Sequence, residues 1–441
     1  MALLNTIIAN PIECWTEEHF QEPIVVGGFP FARVAVLSDP TAIRKVLVEN
    51  PNAYRKGVLE RRILSARLRN GLAAADGEQW ASQRRTLAPL FGRKTVIQLA
   101  PAVAETAATL VERWRNRSRG DALDILDIKI EMDALALDVL TRSIFHAGLG
   151  GDPEAVHTAM VTFFAAAGRI DLFDLIGLPD VVPRITQWRM RGVLRTFEQA
   201  LDAAIAQGRR NLDQNPSDGA RDMLDTLLAA SDPETGRGMS DAEVKANVLT
   251  FFFAGQESTA TALTWAIYLL SQSPEWSAQV TAEAERELST PFDGAAERLN
   301  VTRAVIDEAM RLYPPFAGVT RTASRRDELA GRSIERGTMI VISPYVLHRH
   351  RLLWDDPDLF DPGRFLDGAA RKVDRYAYLP FGVGPRMCIG AGFALQEATI
   401  VLATIMKHFI FAIVPGQSVW PLQRFTLRPR NPMMMTVQRR V

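Results

Sequence analysis

The sequence of 441 residues contains only two cysteines, Cys14 and Cys388, and they lie far apart in the chain. Two cysteines cannot form the disulfide framework of a small secreted domain, and their scarcity is typical of a reducing compartment. An excess of charge of one sign is also missing, because 51 lysines and arginines balance 51 aspartates and glutamates. A neutral chain gives no electrostatic reason to expect a nucleic acid as partner.

Long apolar runs and linkers are absent as well. Residues 1–11 are too short and too interrupted to cross a bilayer, and they lack the basic start of a signal peptide. No stretch rich in glycine, serine or proline divides the chain, and no internal repeat is present. We therefore expect a single domain over residues 1–441, without a membrane anchor, as a cytoplasmic monomer.

Helical periodicity fills most of residues 98–290. The capping-box pattern Ser240-Asp-Ala-Glu243 predicts the start of the longest helix, which runs to about Gln272. Strand patterns are confined to three short segments, residues 24–37, 334–342 and 422–437. These patterns predict a mainly α protein with a minor β region.

The most informative segment runs from Phe381 to Gly390 and reads FGVGPRMCIG. Glycines on both sides of Cys388 allow the backbone to approach a flat ligand closely. The helix that follows lowers the cost of an anion near its start, and Arg386 adds a fixed cation, so a thiolate is favoured over a thiol. A buried, inert cysteine is the alternative. The pattern predicts that Cys388 presents one anionic sulfur to an iron.

The spacing F-x-x-G-x-R-x-C-x-G resembles the heme-binding loop of the cytochrome P450 family. The resemblance implies a triangular helical body with a long central I helix and small β sheets. It implies heme b as cofactor, Cys388 as the thiolate ligand of its iron, and Phe381 and Gly382 beside the heme. It also implies dioxygen and electrons derived from NAD(P)H. About 50 residues follow the loop. We therefore expect no fused reductase domain, and a separate ferredoxin or flavodoxin with its reductase as partner.

A second motif places Glu308 and Arg311 three residues apart, so that both charges lie on one helix face. By itself E-x-x-R indicates no more than a solvated ion pair. Because Leu-Tyr-Pro-Pro follows, the segment resembles the K helix of the family, and Arg364 supplies the second arginine that the family places before the cysteine. The glutamate that usually precedes this arginine is Gly363 here. We expect a buried charge network that holds the heme loop.

Five residues are expected to contact the heme propionates. Trp80 and Arg84 are four residues apart, so both can reach one anion from a helix, although a packed tryptophan and a surface arginine are the alternative. The pair resembles the C-helix motif of the family. Arg386 matches a further propionate ligand, and Arg321 and His348 lie where additional contacts are found in the family.

The long helix carries Ala254-Gly255 followed by Glu257, Ser258 and Thr259. A glycine inside a helix costs about 1 kcal/mol relative to alanine, so it has a reason, either close approach of dioxygen and the porphyrin or helix packing. The stretch resembles the oxygen-activation groove A-G-x-[DE]-T-[TS]. In that register Ser258 holds the place of the usual threonine, and it retains the hydroxyl that relays protons beside a carboxylate.

The resemblance also places an apolar substrate pocket over the heme. Its expected lining comprises Phe253, Ala254, Phe316, Ala317, Val319 and Phe425, with residues 58–72 and 163–178 nearby. Each aromatic residue can equally belong to the core. A docking face for the redox partner is expected near the cysteine loop, with Arg351, Arg371 and Lys372.

These features predict a heme-thiolate monooxygenase that inserts one atom of dioxygen into an apolar small molecule. Two alternatives stay open: an isomerase, dehydratase or peroxide-using enzyme of the same fold, and a non-catalytic heme-based sensor. Relatives of the first kind usually lose the acid–alcohol pair, which Glu257 and Ser258 retain. A sensor needs no proton relay. NADPH consumption with a surrogate ferredoxin and reductase separates the three.

Overall fold

A computed structural model describes residues 2–29, 32–57, 68, 70–117, 124–145, 185–214, 222–288, 295–316, 318–369 and 373–440. The α-helices are α1 (Ala2–Ala9), α2 (Glu17–Gln21), α3 (Pro40–Arg44), α4 (Gly77–Leu87), α5 (Arg93–Arg117), α6 (Ile128–Ile144), α7 (Ile185–Gln214), α8 (Met223–Ala229), α9 (Asp241–Ser271), α10 (Pro274–Glu287), α11 (Ala295–Arg298), α12 (Asn300–Leu312), α13 (Pro344–Leu347) and α14 (Ala391–His408). With 56% of the residues in helices, the predicted mainly α class is confirmed.

The strands are short, and only some of them fall in the segments where the sequence predicts strands. They are β1 (Ile24–Phe29), β2 (Ala32–Leu37), β3 (Tyr54–Lys56), β4 (Asp124–Asp127), β5 (Val319–Ala323), β6 (Asp327–Leu329), β7 (Arg332–Ile334), β8 (Met339–Ile342), β9 (Phe409–Ile413), β10 (Pro421–Gln423), β11 (Leu427–Pro429) and β12 (Met434–Arg439). The sequence did not predict β3, β4, β5, β6 or β9, because three to five residues carry too little periodicity to stand out.

Two compact units share the chain. The first unit comprises residues 1–60, 107–133 and 258–441, and the second comprises residues 61–106 and 134–257. In the part of the chain that the structure describes, every strand belongs to the first unit, and the second unit is built of helices. The prediction of one domain over residues 1–441 stays a prediction.

The largest sheet has five strands in the order β1-β2-β8-β5-β3. Strand β2 pairs in parallel with β8, whereas β5 is antiparallel to both of its neighbours. Alternating side chains of these strands, such as Leu37, Ile340 and Ile342, are buried and pack against Ile43 and Leu347. This sheet fixes β5, the strand that carries Arg321 and Val319.

The longest helix, α9, begins at the predicted capping box. The backbone N–H of Ser240 donates to the Glu243 carboxylate over 3.0 Å, and the N–H of Glu243 donates to the Ser240 hydroxyl over 3.3 Å. The helix has 31 residues, which is about 46 Å. Its residues as far as Glu257 belong to the second unit, and those from Ser258 onward belong to the first. Among the described helices, none is both long and apolar enough to span a membrane.

Two buried helices of the first unit support the charge motif and the cysteine loop. Helix α12 is buried from Ala304 to Leu312, and α14 is buried from Gln396 to Met406. Both pack against α10, and Ala403 of α14 belongs to an apolar cluster with Leu299. A buried helix is a rigid support, so the charged motif of α12 and the loop before α14 have fixed positions.

Candidate active site

The loop that precedes α14 is closed by its own backbone hydrogen bonds. The N–H of Cys388 donates to the carbonyl of Phe381 over 2.9 Å. The N–H of Gly382 donates to the carbonyl of Leu379 over 3.1 Å, and the N–H of Met387 donates to that of Gly384 over 3.0 Å. The backbone of Cys388 is therefore held by hydrogen bonds within its own loop.

Two glycines of the loop adopt a left-handed backbone, with φ of +69° at Gly382 and +80° at Gly384. A β-carbon on Gly384 would lie 2.3 Å from the carbonyl oxygen of Leu47, which is too close for any side chain. A β-carbon on Gly382 would meet nothing within 4 Å. Gly384 is thus required by close packing against the backbone near Leu47, and Gly382 by its conformation.

The two cysteines differ in exposure and in electrostatic surroundings. Cys388 is exposed, whereas Cys14 is half-buried and its thiol donates to the carbonyl of Pro11 over 2.8 Å. Burial raises the pKa of the Cys14 thiol, which disfavours a thiolate there. Cys388 lies three residues before the first residue of α14, where the helix dipole favours an anion, and half-exposed Arg386 is two residues away.

These residues fit the iron of a heme. No group of three or more histidine, cysteine or carboxylate side chains that could hold a metal ion is present among the described residues. A single exposed thiolate is the ligand that a heme iron takes from the protein in heme-thiolate proteins. The exposed sulfur in a narrow glycine loop leaves room for such a flat group.

The charge motif of α12 is completely buried. Glu308 and Arg311 are both 0% exposed, and Arg311 donates to the two carboxylate oxygens over 2.6 and 2.8 Å. The remaining N–H groups of Arg311 donate to the carbonyls of His348, Pro357 and Leu359 over 2.6 to 2.8 Å. All five guanidinium donors are thus used, so Arg311 connects α12 to two distant backbone segments.

Glu308 completes the network on the acidic side. It accepts a hydrogen bond from the N–H of Asp361 over 2.8 Å, and the Nε of Arg364 lies 3.6 Å away. Arg364 is 14% exposed, and it donates to the carbonyl of Asp356 over 3.0 Å. Burial raises the pKa of Glu308, while the hydrogen bonds from Arg311 oppose that rise. The structure thus brings together the three predicted network residues, with Arg364 at the edge.

Sequence reasoning missed the residues that join this network to the cysteine loop. The Tyr378 hydroxyl donates to the carbonyl of Asp307 over 2.8 Å and lies 3.0 Å from its carboxylate. The N–H of Leu379 donates to Nε2 of His348 over 2.8 Å. The sequence offers no signal for either contact, because each joins segments that are far apart in the chain.

The candidate propionate contacts differ in exposure. Trp80 and Arg84 are half-buried and one turn apart on α4, while Arg321 on β5 and Arg386 in the loop are half-buried. The side chain of His348, by contrast, is 0% exposed. A propionate contact by His348 stays a prediction, and its surroundings favour a contact with the protein instead.

The middle of α9 has one open side. Ala254 is exposed, and Glu257 and Ser258 are half-buried. Thr259 is buried, with 3% exposure, and no group among the described residues bonds its hydroxyl. Successive helix residues are about 100° apart, so the accessible side carries Ser258 and not Thr259.

Of the two predicted reasons for Gly255, the structure shows a packing contact. A β-carbon there would lie 3.2 Å from both terminal methyl carbons of Leu140 on α6, tighter than ordinary contact. The glycine therefore allows α6 to approach α9 closely, which supports the packing alternative at this position.

The predicted pocket residues differ in exposure, and some lie outside the described residues. Phe316, which is 39% exposed, meets Phe425 edge-on, with ring centroids 6.1 Å apart. Val319 is half-buried on β5, and Phe253 is 3% exposed. Ala317, residues 58–67 and 163–178 lie outside the described residues. The membership of this pocket stays a prediction.

Comparison with known proteins agrees with this arrangement. The family model described as Cytochrome P450 matches residues 16–437. Cyclooctatin synthase of Streptomyces melanosporofaciens is 34% identical over 88% of this chain and 83% of its own length. Cyclooctat-9-en-7-ol 5-monooxygenase of the same organism is 34% identical over 88% and 82%.

Solved structures give the same result for the fold. The crystal structure of a cytochrome P450 described as CYP102L1 has a TM-score of 0.82 and 26% identity, and the alignment covers 99% of this chain and 96% of that one. The cytochrome P450DA heme domain has a TM-score of 0.81 and 25% identity over 100% and 93%. The chain is an oxidoreductase that incorporates oxygen, with heme as the implied cofactor, and it belongs to the cytochrome P450 family.

Proposed function

We propose that the protein is a heme-thiolate monooxygenase that inserts oxygen into an apolar small molecule, with Cys388 as the iron ligand and with electrons from separate partner proteins. The observation that carries this proposal is the exposed Cys388 in a backbone-closed glycine loop at the start of α14. Bound heme would supply activation of dioxygen and the oxidising power for insertion.

The chain's own residues have three tasks. Arg386 in the cysteine loop and Arg321 on β5 would bind the carboxylates of the cofactor. Glu257 and Ser258 on the open side of α9 would hold and pass protons from water, with the Ser258 hydroxyl as the last donor. An apolar lining would exclude bulk water from the reaction.

The substrate class rests on the aromatic residues. Phe316 and Phe425 form an edge-on pair with ring centroids 6.1 Å apart, and Val319 follows Phe316 by three residues on β5. Such surfaces bind apolar molecules and offer few anchoring charges. Relatives named for a substrate act on cyclooctat-9-en-7-ol and on 11-oxo-beta-amyrin. We infer a mainly hydrocarbon substrate.

Electron supply by a ferredoxin or flavodoxin remains part of the proposal. Arg351 is 42% exposed but lies 2.9 Å from Asp358, so its charge is partly neutralised. Arg371 and Lys372 lie outside the described residues. We expect reduction by an acidic ferredoxin to slow as salt rises, and we expect no turnover with NADPH alone.

The ligand assignment is tested with the reduced protein and carbon monoxide. Wild type is expected to show the strongly red-shifted Soret band that a thiolate ligand produces, and Cys388→His to lose it while heme still binds. Cys14→Ser is the matched control, because Cys14 is the second cysteine and its thiol faces the Pro11 carbonyl. A red-shifted band in Cys388→His would sink the assignment.

The proton relay is tested by a pair of neighbouring hydroxyls. Ser258→Ala should leave the carbon monoxide spectrum intact and divert electrons to hydrogen peroxide, because the accessible hydroxyl is lost. Thr259→Ala should do much less, since that hydroxyl is buried. Product and peroxide are measured per NADPH consumed. Uncoupling by Thr259→Ala without uncoupling by Ser258→Ala would show that the register is wrong by one residue.

A further inference from the structure

The imidazole of His348 occupies a fully buried position between the charge network and the cysteine loop. His348 follows the last residue of α13, and its backbone carbonyl accepts a hydrogen bond from Arg311 over 2.8 Å. Its ring Nε2 accepts a hydrogen bond from the N–H of Leu379 over 2.8 Å. One residue therefore contacts the network through its backbone and the loop through its side chain.

The hydrogen bond to Leu379 fixes the protonation state of the ring. A backbone N–H can only donate, so Nε2 must be unprotonated and the proton of the neutral ring is on Nδ1. Burial, followed by the charges of Arg311 and Arg349, lowers the pKa of His348 to about 3. The backbone carbonyls of Arg311 and Met310 oppose this shift without cancelling it. The ring thus acts as a neutral acceptor toward Leu379 at any pH near neutrality.

Leu379 is the point where the cysteine loop begins. Its N–H is held by His348, and its carbonyl accepts the N–H of Gly382 over 3.1 Å. The next residue is Pro380, which has no N–H and a fixed φ. The carbonyl of Phe381 then accepts the N–H of Cys388 over 2.9 Å. A displacement of the Leu379 peptide would therefore reach Cys388 through a short chain of backbone bonds.

We propose that His348 is a positioning residue for Cys388: its Nε2 anchors the Leu379 peptide, and so it holds the cysteine loop in register with the Glu308–Arg311 network. The proposal rests on the proposed role of Cys388 as the iron ligand. It assigns His348 a contact with the protein in place of a contact with a propionate, which agrees with its 0% exposure.

Replacing His348 by either of two amide side chains tests the role of its Nε2 atom as a hydrogen-bond acceptor. The side-chain oxygen of glutamine is as many bonds from Cα as Nε2 is, whereas that of asparagine corresponds to Nδ1. His348→Gln should therefore retain the bond to Leu379, and His348→Asn should lose it. The matched control is His350→Asn, because His350 is 1% exposed and its Nε2 lies 3.1 Å from the carbonyl of Glu22, away from the loop.

Two measurements are compared across wild type and the three variants. Hydrogen exchange of peptides containing Leu379 should be about tenfold faster or more in His348→Asn, because a buried donor loses its partner. The conversion of the red-shifted carbon monoxide band to an unshifted one in mild urea should accelerate by a similar factor. His348→Gln and His350→Asn should stay within about twofold of wild type in both.

Equal behaviour of His348→Gln and His348→Asn would overturn the proposal, and so would an equal effect of His350→Asn, which would indicate general loss of core packing. If His348→Asn gives no soluble protein, His348→Gln decides, because an unprotected Leu379 amide in that variant contradicts the proposal. A wild-type protein without the red-shifted band would refute Cys388 as ligand, yet the exchange measurement would still test the anchor.

Discussion

A fully buried acid pairs with an arginine in each of the two compact units, and these two clusters are built differently. In the first unit, Glu308 and Arg311 are three residues apart on α12, and both side chains are 0% exposed. In the second unit, Asp232 is 0% exposed, but its partner Arg85 lies 147 residues away and is 23% exposed. The same chemistry thus arises once from local spacing and once from tertiary contact.

The surroundings of the two arginines explain what each cluster does. Arg311 donates to three backbone carbonyls, so it fixes the course of chain segments far from α12. Arg85 instead donates to carboxylates, with Glu78 at 3.0 Å and Glu234 at 3.3 Å besides Asp232. The first cluster holds backbone segments in place. The second cluster holds side chains, and water can partly replace their hydrogen bonds.

The largest effect is expected from Glu308→Ala. This change leaves the Arg311 charge buried without its acid, which costs about 3–5 kcal/mol for a broken buried pair. The backbone around residues 348 and 357–361 loses its anchor, so heme-free or insoluble protein should result. The yield of holoprotein and the urea midpoint measure the loss. A wild-type yield would contradict the view that this cluster organises backbone.

A smaller effect is expected from Asp232→Asn. The amide retains the shape and can still accept from Ser82, and Arg85 keeps two other carboxylates within reach. We expect a modest fall in the urea midpoint at neutral pH, with heme content unchanged. Heme loss as severe as in Glu308→Ala would show that the two clusters are equivalent.

The dependence of stability on acidic pH should differ between wild type and Asp232→Asn. Hydrogen bonds from Arg85, then from Ser82, hold the pKa of Asp232 well below its usual range. A depressed carboxyl pKa contributes stability that is present above the unfolded pKa of about 4 and is lost as the pH falls further. Unfolding curves between pH 5 and pH 2.5 should therefore be flatter for Asp232→Asn than for wild type. Parallel curves would contradict the assignment.

The smallest effect is expected from Arg364→Gln, at the edge of the first cluster. Its Nε lies 3.6 Å from Glu308, beyond hydrogen-bond distance, and one bond to the Asp356 carbonyl is lost. A single hydrogen bond contributes about 1 kcal/mol net, so holoprotein should form with a slightly lowered midpoint. A loss equal to that of Glu308→Ala would mean that Arg364 shares the central task of Arg311.

Motifs with local spacing were predictable from the sequence. The capping box of Ser240 and Glu243, the pair of Glu308 and Arg311, and the glycine loop of Cys388 all depend on residues within ten positions of one another. Local spacing fixes which side chains share a helix face or a turn, whatever the rest of the chain does. The mainly α class followed from the same periodicity.

Contacts between distant segments were decided only by the tertiary structure. The sequence gives no signal that Leu379 meets His348, that Asp307 meets Tyr378, or that Gly384 lies against Leu47. Such contacts depend on how buried helices and strands pack, and many side chains satisfy the same local pattern. Burial, too, was decided by the tertiary structure. The hydroxyl of Thr259 is inaccessible and that of Ser258 is not, because the elements packed around a helix decide which of its faces is covered.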